Sequence, residues 1–315
     1  KLTFTGQGGA TYTLSNSADV DVANETTATV SITGADQIAL KSLLNNNGTS
    51  AADSTTYNLA AGEDWNTGAD TAATIADSVA TITVSNFTNP AITSATYDVV
   101  ARALLVTGTN FVANSGAAND IDTSLLTLLG EGGNSYTLTD SADTEISSAT
   151  TFTVTLSATD ALYVHGLLNK DGTSASDATV YNLAVADNWM LGSPDANSIA
   201  DTSGNGITVS NTQIPSITSA SYDVESGQFV VTGNNLFHKV GASNDIDLSK
   251  ITLTGGTANA IYTLTTSNDV EVSSATSFTF TLVDTDKSST DALLDQLGTI
   301  SSAGSTYNFA VGDNW

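Results

Sequence analysis

The side chains best suited to chemistry in this sequence are carboxylates and amides that recur in short loops. Asn119-Asp-Ile-Asp122 returns as Asn244-Asp-Ile-Asp247. Two carboxylates at positions i and i+2 beside an amide offer the oxygen ligands that a hard cation takes, above all Ca²⁺. The sequence therefore predicts Ca²⁺ as a bound cofactor, with these ligands: Asn119, Asp120, Asp122, Asn244, Asp245 and Asp247.

A Ca²⁺ ion needs more oxygens than one such loop supplies, so other loops must contribute. Acidic residues precede each tryptophan and the last strand of a repeat. The candidates are Glu63, Asp64, Asp187 and Asp313 before the tryptophans, and Asp77 and Asp201 before the last strand. Asp and Asn also favour turns for local reasons, so the alternative is a set of turn formers on a solvated face.

The charge balance excludes several classes of partner. The 315 residues include 33 acidic and seven basic side chains, which gives a net charge of −26. Nucleic acids and anionic membrane surfaces are bound through Lys and Arg, so neither is expected as a partner. The chain has no cysteine, and apolar runs such as 103–106 are far shorter than the ~20 residues of a membrane span, so no membrane insertion is expected.

Enzymatic function is not expected. His165 and His238 occupy non-equivalent positions in the repeat described below, which favours surface or boundary histidines over metal or catalytic ones. No Ser-His-Asp set recurs. No pair of acids stands in an apolar sequence context that would raise a pKa for acid–base chemistry.

The elements that position these residues belong to an internal repeat. The stretch from Tyr136 to Leu156 aligns without gaps to that from Tyr262 to Leu282, with 15 of 21 residues identical. Tryptophans stand at 65, 189 and 315. We divide the chain into a first copy (1–89) that lacks its first strands, a complete second copy (90–214) and a third copy (215–315) that lacks its last strand.

Two expectations follow from the repeat. Because the chain begins and ends partway through a copy, we expect it to be a window on a longer tandem array; completion of the cut copies by neighbouring chains is the alternative. The recurring Trp65, Trp189 and Trp315 are expected to be packing anchors, and a carbohydrate platform is the alternative.

Alternating apolar and polar residues predict strands in the second copy at 92–97, 103–111, 125–129, 135–139, 151–156, 179–185 and 206–210. Helical spacing of apolar residues predicts one helix over 159–169, capped by Thr159 or Asp160, with counterparts at 37–44 and 289–297. Seven strands and one short helix in ~125 residues predict an all-β fold of tandem Ig-like β-sandwich modules.

Two stretches carry a resemblance. Ile92-Thr-Ser-Ala-Thr-Tyr97 with Leu105-Val-Thr-Gly-Thr-Asn-Phe111, and Ile217-Thr-Ser-Ala-Ser-Tyr222 with Val230-Val-Thr-Gly-Asn-Asn-Leu236, resemble the opening hairpin of IPT/TIG-type Ig-like domains. The whole repeat is similar to tandem repeats of giant bacterial surface adhesins. The resemblance implies an extracellular stalk or filament, often made rigid by calcium.

These observations predict a structural function at the cell surface, as an adhesin stalk, filament or sheath whose partners are neighbouring modules or copies of the same protein. The alternative is a carbohydrate- or partner-binding module that uses exposed loops, with a cell-surface or glycan contact.

Overall fold

A computed structural model of the chain describes residues 1–114, 118–193 and 198–315. Within those ranges the protein is mostly β, with strands in several small sheets and three ten-residue α-helices. None of the helices in the described ranges has the length and apolar character needed to cross a lipid bilayer.

The first copy contains one four-stranded sheet, one two-stranded hairpin and one helix. Its elements are β1 (Leu2–Thr5), β2 (Thr11–Thr13), β3 (Val22–Asn24), β4 (Thr27–Ala28), α1 (Gly34–Leu43), β5 (Asn58–Ala61) and β6 (Asp77–Thr81). The sheet has the order β2-β1-β5-β6 with antiparallel neighbours, and β3 pairs with β4.

The second copy contains two sheets. Its elements are β7 (Ala91–Asp98), β8 (Ala103–Thr109), β9 (Leu126–Leu129), β10 (Ser135–Thr137), β11 (Ile146–Ser148), β12 (Thr151–Thr155), α2 (Ala158–Leu167), β13 (Asn182–Val185) and β14 (Ile207–Ser210). One sheet has the order β10-β9-β13 and the other β11-β12-β8-β7-β14, in which β14 runs parallel to β7.

The third copy repeats this arrangement with fewer strands. Its elements are β15 (Ser216–Asp223), β16 (Gln228–Asn234), β17 (Ile251–Gly255), β18 (Ala260–Thr263), β19 (Ser277–Thr281), α3 (Asp284–Leu293) and β20 (Asn308–Val311). Its sheets have the orders β15-β16-β19 and β18-β17-β20.

Alternation along the strands explains where the core lies. In β12, Phe152 and Val154 are buried whereas Thr153 and Thr155 are exposed, because successive side chains point to opposite faces of a strand. Leu104 on β8 and Leu128 on β9, from the two different sheets, belong to the same buried cluster. The core of the second copy therefore lies between its two sheets.

The strands predicted for the second copy are confirmed, with small differences at their ends; the strand predicted from 179 begins at Asn182. The predicted cap of α2 is wrong, because the side chain of Ser157 accepts the hydrogen bond from the backbone N–H of Asp160. The helix predicted over 289–297 is shifted. α3 begins at Asp284, and its first turn is polar, so the spacing of apolar residues did not mark it. The buried Asp286 in that turn accepts a hydrogen bond from the backbone N–H of Ser267.

Candidate functional site

One buried aspartate recurs near the start of each helix and fixes a loop. Asp160 accepts hydrogen bonds from the Tyr136 hydroxyl (2.9 Å), from the backbone N–H of Thr139 (2.9 Å) and Asp140 (3.1 Å), and from the backbone and hydroxyl of Ser141. Burial alone would raise the pKa of Asp160, but these donors outweigh it and lower the pKa. Asp36 and Asp286 have the same surroundings and also lowered pKa values. This aspartate is a framework residue of every copy.

A second recurring acid lies beside a glutamate. Asp120 is buried, and its two oxygens accept hydrogen bonds from the backbone N–H of Asn114 (2.5 Å) and Ile146 (2.9 Å). The Glu145 side chain accepts one from the backbone N–H of Asn119 (2.7 Å). Burial raises the pKa of Asp120 to about 6, and the adjoining Glu145 carboxyl adds to the rise. Two carboxyl groups so close favour sharing a proton.

The third copy holds the same pair with a histidine added. Asp245 accepts hydrogen bonds from the backbone N–H of Lys239 (2.6 Å) and Val272 (2.8 Å), and Glu271 accepts one from that of Asn244 (2.7 Å). His238 Nδ1 lies 2.9 Å from Asp245 Oδ2 and 3.0 Å from Glu271 Oε2.

The cluster is partly shielded from solvent. The Asp245 side chain is fully buried, that of His238 is 12% exposed and that of Glu271 is 31% exposed. The potential metal-ligand atoms of His238, Asp245 and Glu271 all lie within 4.8 Å of one another. Among the described residues, no other set of three or more His, Cys, Asp or Glu side chains is gathered so closely. These three residues are the candidate metal ligands.

The second aspartate of each Asn-Asp-Ile-Asp loop caps a short helix. Asp122 caps a short 3-10 helix, where its carboxylate accepts hydrogen bonds from the backbone N–H (3.0 Å) and hydroxyl (2.6 Å) of Ser124. Asp247 does the same with Ser249. Of the two carboxylates predicted to bind one cation, the first pairs with a glutamate and the second caps a turn.

The acids predicted from other loops also bond to the backbone. Glu63 accepts a hydrogen bond from the N–H of Ile75, and Asp187 one from that of Ile199, both at 2.8 Å. Asp201 takes hydrogen bonds from the N–H of Ile92 and the amide of Asn205.

Two predicted acids lie on exposed positions. Asp77 receives a hydrogen bond from the N–H of Val79, and Asp313 lies in the exposed turn after β20. In the part of the chain that the structure describes, no three of the predicted acids bring carboxylate oxygens within 4.8 Å of one another.

The tryptophan of the second copy is a packing anchor. Trp189 is fully buried, its indole N–H donates to the carbonyl of Ile199 (2.9 Å), and its ring lies 5.7 Å from Phe111 and 5.9 Å from Phe152. A buried ring cannot stack on a sugar. Trp65, in the copy whose sequence holds no counterpart of Phe111, makes the same bond to Ile75 but is 44% exposed.

The contact between the second and third copies, here called the second junction, contains the histidine. The backbone N–H of His238 donates to the carbonyl of Leu162 in α2 (2.9 Å). The rings of Tyr136 and Tyr163 stack at 4.6 Å, and Tyr163 lies 4.2 Å from the His238 ring. Three aromatic rings thus link the two copies.

The backbones at the second junction also meet closely. A Cβ added to Gly166 would lie 1.9 Å from the carbonyl oxygen of His238, so α2 can touch this loop only because residue 166 has no side chain. Leu162 packs against the core of the third copy, and Val240 packs against the core of the second. The two cores are therefore in contact through side chains of both copies.

The contact between the first and second copies, the first junction, differs at each of these positions. The residues that correspond to Tyr163, Gly166 and His238 are Ala39, Ser42 and Ala113. A hydrogen bond across this junction runs from Lys41 Nζ to Asn110 Oδ1 at 3.4 Å, beyond the usual range for an N–H···O bond.

The other histidine is structural. His165 Nε2 lies 3.0 Å from the hydroxyl of the buried Tyr97. Burial, with Arg102 nearby, lowers the pKa of His165 to about 4, which keeps the ring neutral at pH 7.

Sequence reasoning did not find His238, Glu145 or Glu271 as partners of the predicted aspartates. The two glutamates left a signal, since they are identical residues within the aligned stretch from Tyr136 to Leu156 and its counterpart. His238 left none, because the corresponding residue of the second copy is Ala113.

A comparison of the sequence with known protein families gives no match. A comparison with curated proteins gives none either.

Proposed function

We propose that the chain is a structural repeat segment of an extracellular surface protein, in which Ig-like β-sandwich modules of ~125 residues are joined in tandem as a stalk, filament or sheath. Two sheets that share one core in the second copy support the sandwich part of the proposal. The partners are neighbouring modules or copies of the same protein.

The observation that carries the proposal is the packed second junction. An array that spans a distance as a stalk needs modules that hold a fixed angle, and independent domains joined by a free linker do not provide one. Here a backbone hydrogen bond, the contact of the Tyr163 and His238 rings and a close backbone approach at Gly166 join the third copy to α2 of the second.

The charge supports the same function. A net charge of −26 keeps parallel copies soluble and mutually repelling. Cations would neutralise the acidic loops, and we include Ca²⁺ in the proposal as the ion that stiffens the array. A thermal melt of the metal-free chain with and without added Ca²⁺ tests this part separately, and an unchanged midpoint would remove calcium from the proposal.

Small-angle scattering of the full chain tests the shape. A compact chain of 315 residues has a radius of gyration of about 20 Å. An array of modules held end to end should give a clearly larger value and the scattering profile of a rod. A value near that of a compact globule would overturn the proposal, since a stalk must extend.

A further inference from the structure

We propose that His238, Asp245 and Glu271 bind a divalent transition-metal ion of the Zn²⁺ class at the second junction. The three ligand atoms already converge, with all of their separations within 4.8 Å. They come from two loops of the third copy, and backbone N–H groups donate hydrogen bonds to both Asp245 and Glu271.

One carboxylate oxygen of the cluster, Glu271 Oε2, favours a bound ion. Glu271 Oε2 is buried and accepts no hydrogen bond among the described residues, although it lies 3.0 Å from His238 Nδ1. One hydrogen on Nδ1 cannot point at this oxygen and at Asp245 Oδ2 together. Buried carboxylate oxygens rarely stay without a partner, so the position favours a bound cation between them.

The ligand atoms indicate the kind of ion. An imidazole nitrogen with two carboxylate oxygens is a ligand set that suits Zn²⁺ and its neighbours in the first transition row. Ca²⁺ and Mg²⁺ take oxygen ligands and gain little from a nitrogen. Tetrahedral bonds of about 2.0–2.2 Å need ligands about 3.3 Å apart, so separations of 2.9 and 3.0 Å from Nδ1 require only a small opening of the cluster.

The cluster is open to solvent on one side. Glu271 and His238 line an open cleft at the junction together with Tyr136, Tyr163 and Val240. A water molecule from the cleft can complete the coordination. Because the His238 ring also contacts Tyr163 of the second copy, the ion would hold the ring between the two copies.

The test uses the two histidines of the chain as a matched pair. Histidine side-chain ¹H–¹⁵N spectra of the full chain are recorded while Zn²⁺ is added, with Ca²⁺ and Mg²⁺ in parallel samples. We expect the ring signals of His238 to shift with Zn²⁺ and those of His165 to stay in place. Equal shifts of both rings, or no shift of His238, would overturn the proposal.

Calorimetry supplies the second readout. His238→Ala, which gives the third copy the residue of the second, should weaken the strongest Zn²⁺ binding at least about tenfold. Glu271→Gln should also weaken it, whereas Asp313→Asn, an exposed acid in the same copy, should not. Retention of full affinity in His238→Ala would contradict the assignment. Neither readout depends on molecular shape, so a failure of the metal site leaves the proposed function standing, and the reverse holds.

Discussion

The second and third copies place the same two carboxylates at the same point of the fold and surround them differently. In the second copy Asp120 and Glu145 adjoin, and burial raises the pKa of Asp120 to about 6. In the third copy the imidazole of His238 lies within 3.0 Å of both Asp245 and Glu271. The corresponding residue of the second copy is Ala113.

This difference teaches how a repeat can acquire a local property without changing its framework. The backbone hydrogen bonds to the paired acids are the same in both copies. A change from alanine to histidine at one position adds a nitrogen ligand and a ring that reaches α2. The position of Ala113 and His238 therefore differs both between the two acid clusters and between the two junctions.

Removal of the shared framework acid should have the largest effect. Asp160→Ala leaves several buried donors without an acceptor, so the second copy should lose about 3–5 kcal/mol of its free energy of unfolding. Urea denaturation followed by Trp189 fluorescence, with Trp65 and Trp315 replaced by Phe, measures it. Asp140→Ala, an exposed neighbour, should change the value by less than about 0.5 kcal/mol. Equal effects of the two variants would show that Asp160 is not a framework residue.

The close approach at Gly166 should separate junction stability from module stability. Gly166→Ala places a methyl group against His238, which should weaken the second junction by about 1–3 kcal/mol. The helix itself gains about 1 kcal/mol from alanine, so the second copy should not be destabilised within its own core. The backbone amide chemical shift of His238 measures the effect, because its N–H donates to the carbonyl of Leu162 across the junction. In Gly166→Ala this signal should move away from its position in the unsubstituted chain.

Ser42→Ala at the matching position of α1 is the control, and it should leave the first junction as it is. If Gly166→Ala left the second junction intact, the close packing there would be disproved.

The acid pair of the second copy should make stability depend on pH. A carboxyl whose folded pKa is raised binds its proton more tightly in the folded state, so stability falls as pH rises from about 4 to about 6. Between pH 7 and pH 5 Asp120 alone should stabilise the second copy by on the order of 1 kcal/mol, whereas His165, whose pKa is lowered to about 4, acts in the opposite direction. Urea unfolding of the chain and of Asp120→Asn at the two pH values isolates the Asp120 contribution, because His165 is common to both. On going from pH 7 to pH 5 the unfolding free energy should change more favourably in the unsubstituted chain than in Asp120→Asn. Equal pH dependences of the two would contradict the raised pKa.

The smallest expected effect concerns the third copy without metal. Burial and Asp245 raise the pKa of Glu271, and His238 works against this rise. In EDTA, His238→Ala should therefore raise the pKa of Glu271 further and make this pair resemble that of the second copy. A ¹³C carboxyl titration detects the change, and a lower Glu271 pKa in the variant would show that the histidine has the opposite influence.

The strands were predictable because alternation directly reports burial. Thr151-Phe-Thr-Val-Thr155 could be assigned from its pattern, and its Phe and Val are buried as the pattern requires. The start of α3 was not, because apolar spacing marks only the part of a helix that faces a core, and the first turn, Asp284-Thr-Asp-Lys287, is polar.

The candidate site was predictable only in part. The recurrence of Asp120 and Asp245 pointed to the loops that hold the paired acids. A turn-forming aspartate and a buried one look alike in sequence, so Asp122 and Asp247 could not be distinguished from Asp120 and Asp245. The role of His238 depends on two loops and a neighbouring copy that meet only in three dimensions.

The central claim is that the second junction is packed and the first is looser. Spin labels on introduced cysteines test it directly, since the chain has no other cysteine. Matched exposed strand positions are available at Thr13, Thr137 and Thr263. Distances measured by pulsed electron spin resonance between 137 and 263 should form a narrower distribution than those between 13 and 137. Distributions of equal width, or a broader one across the second junction, would contradict the account.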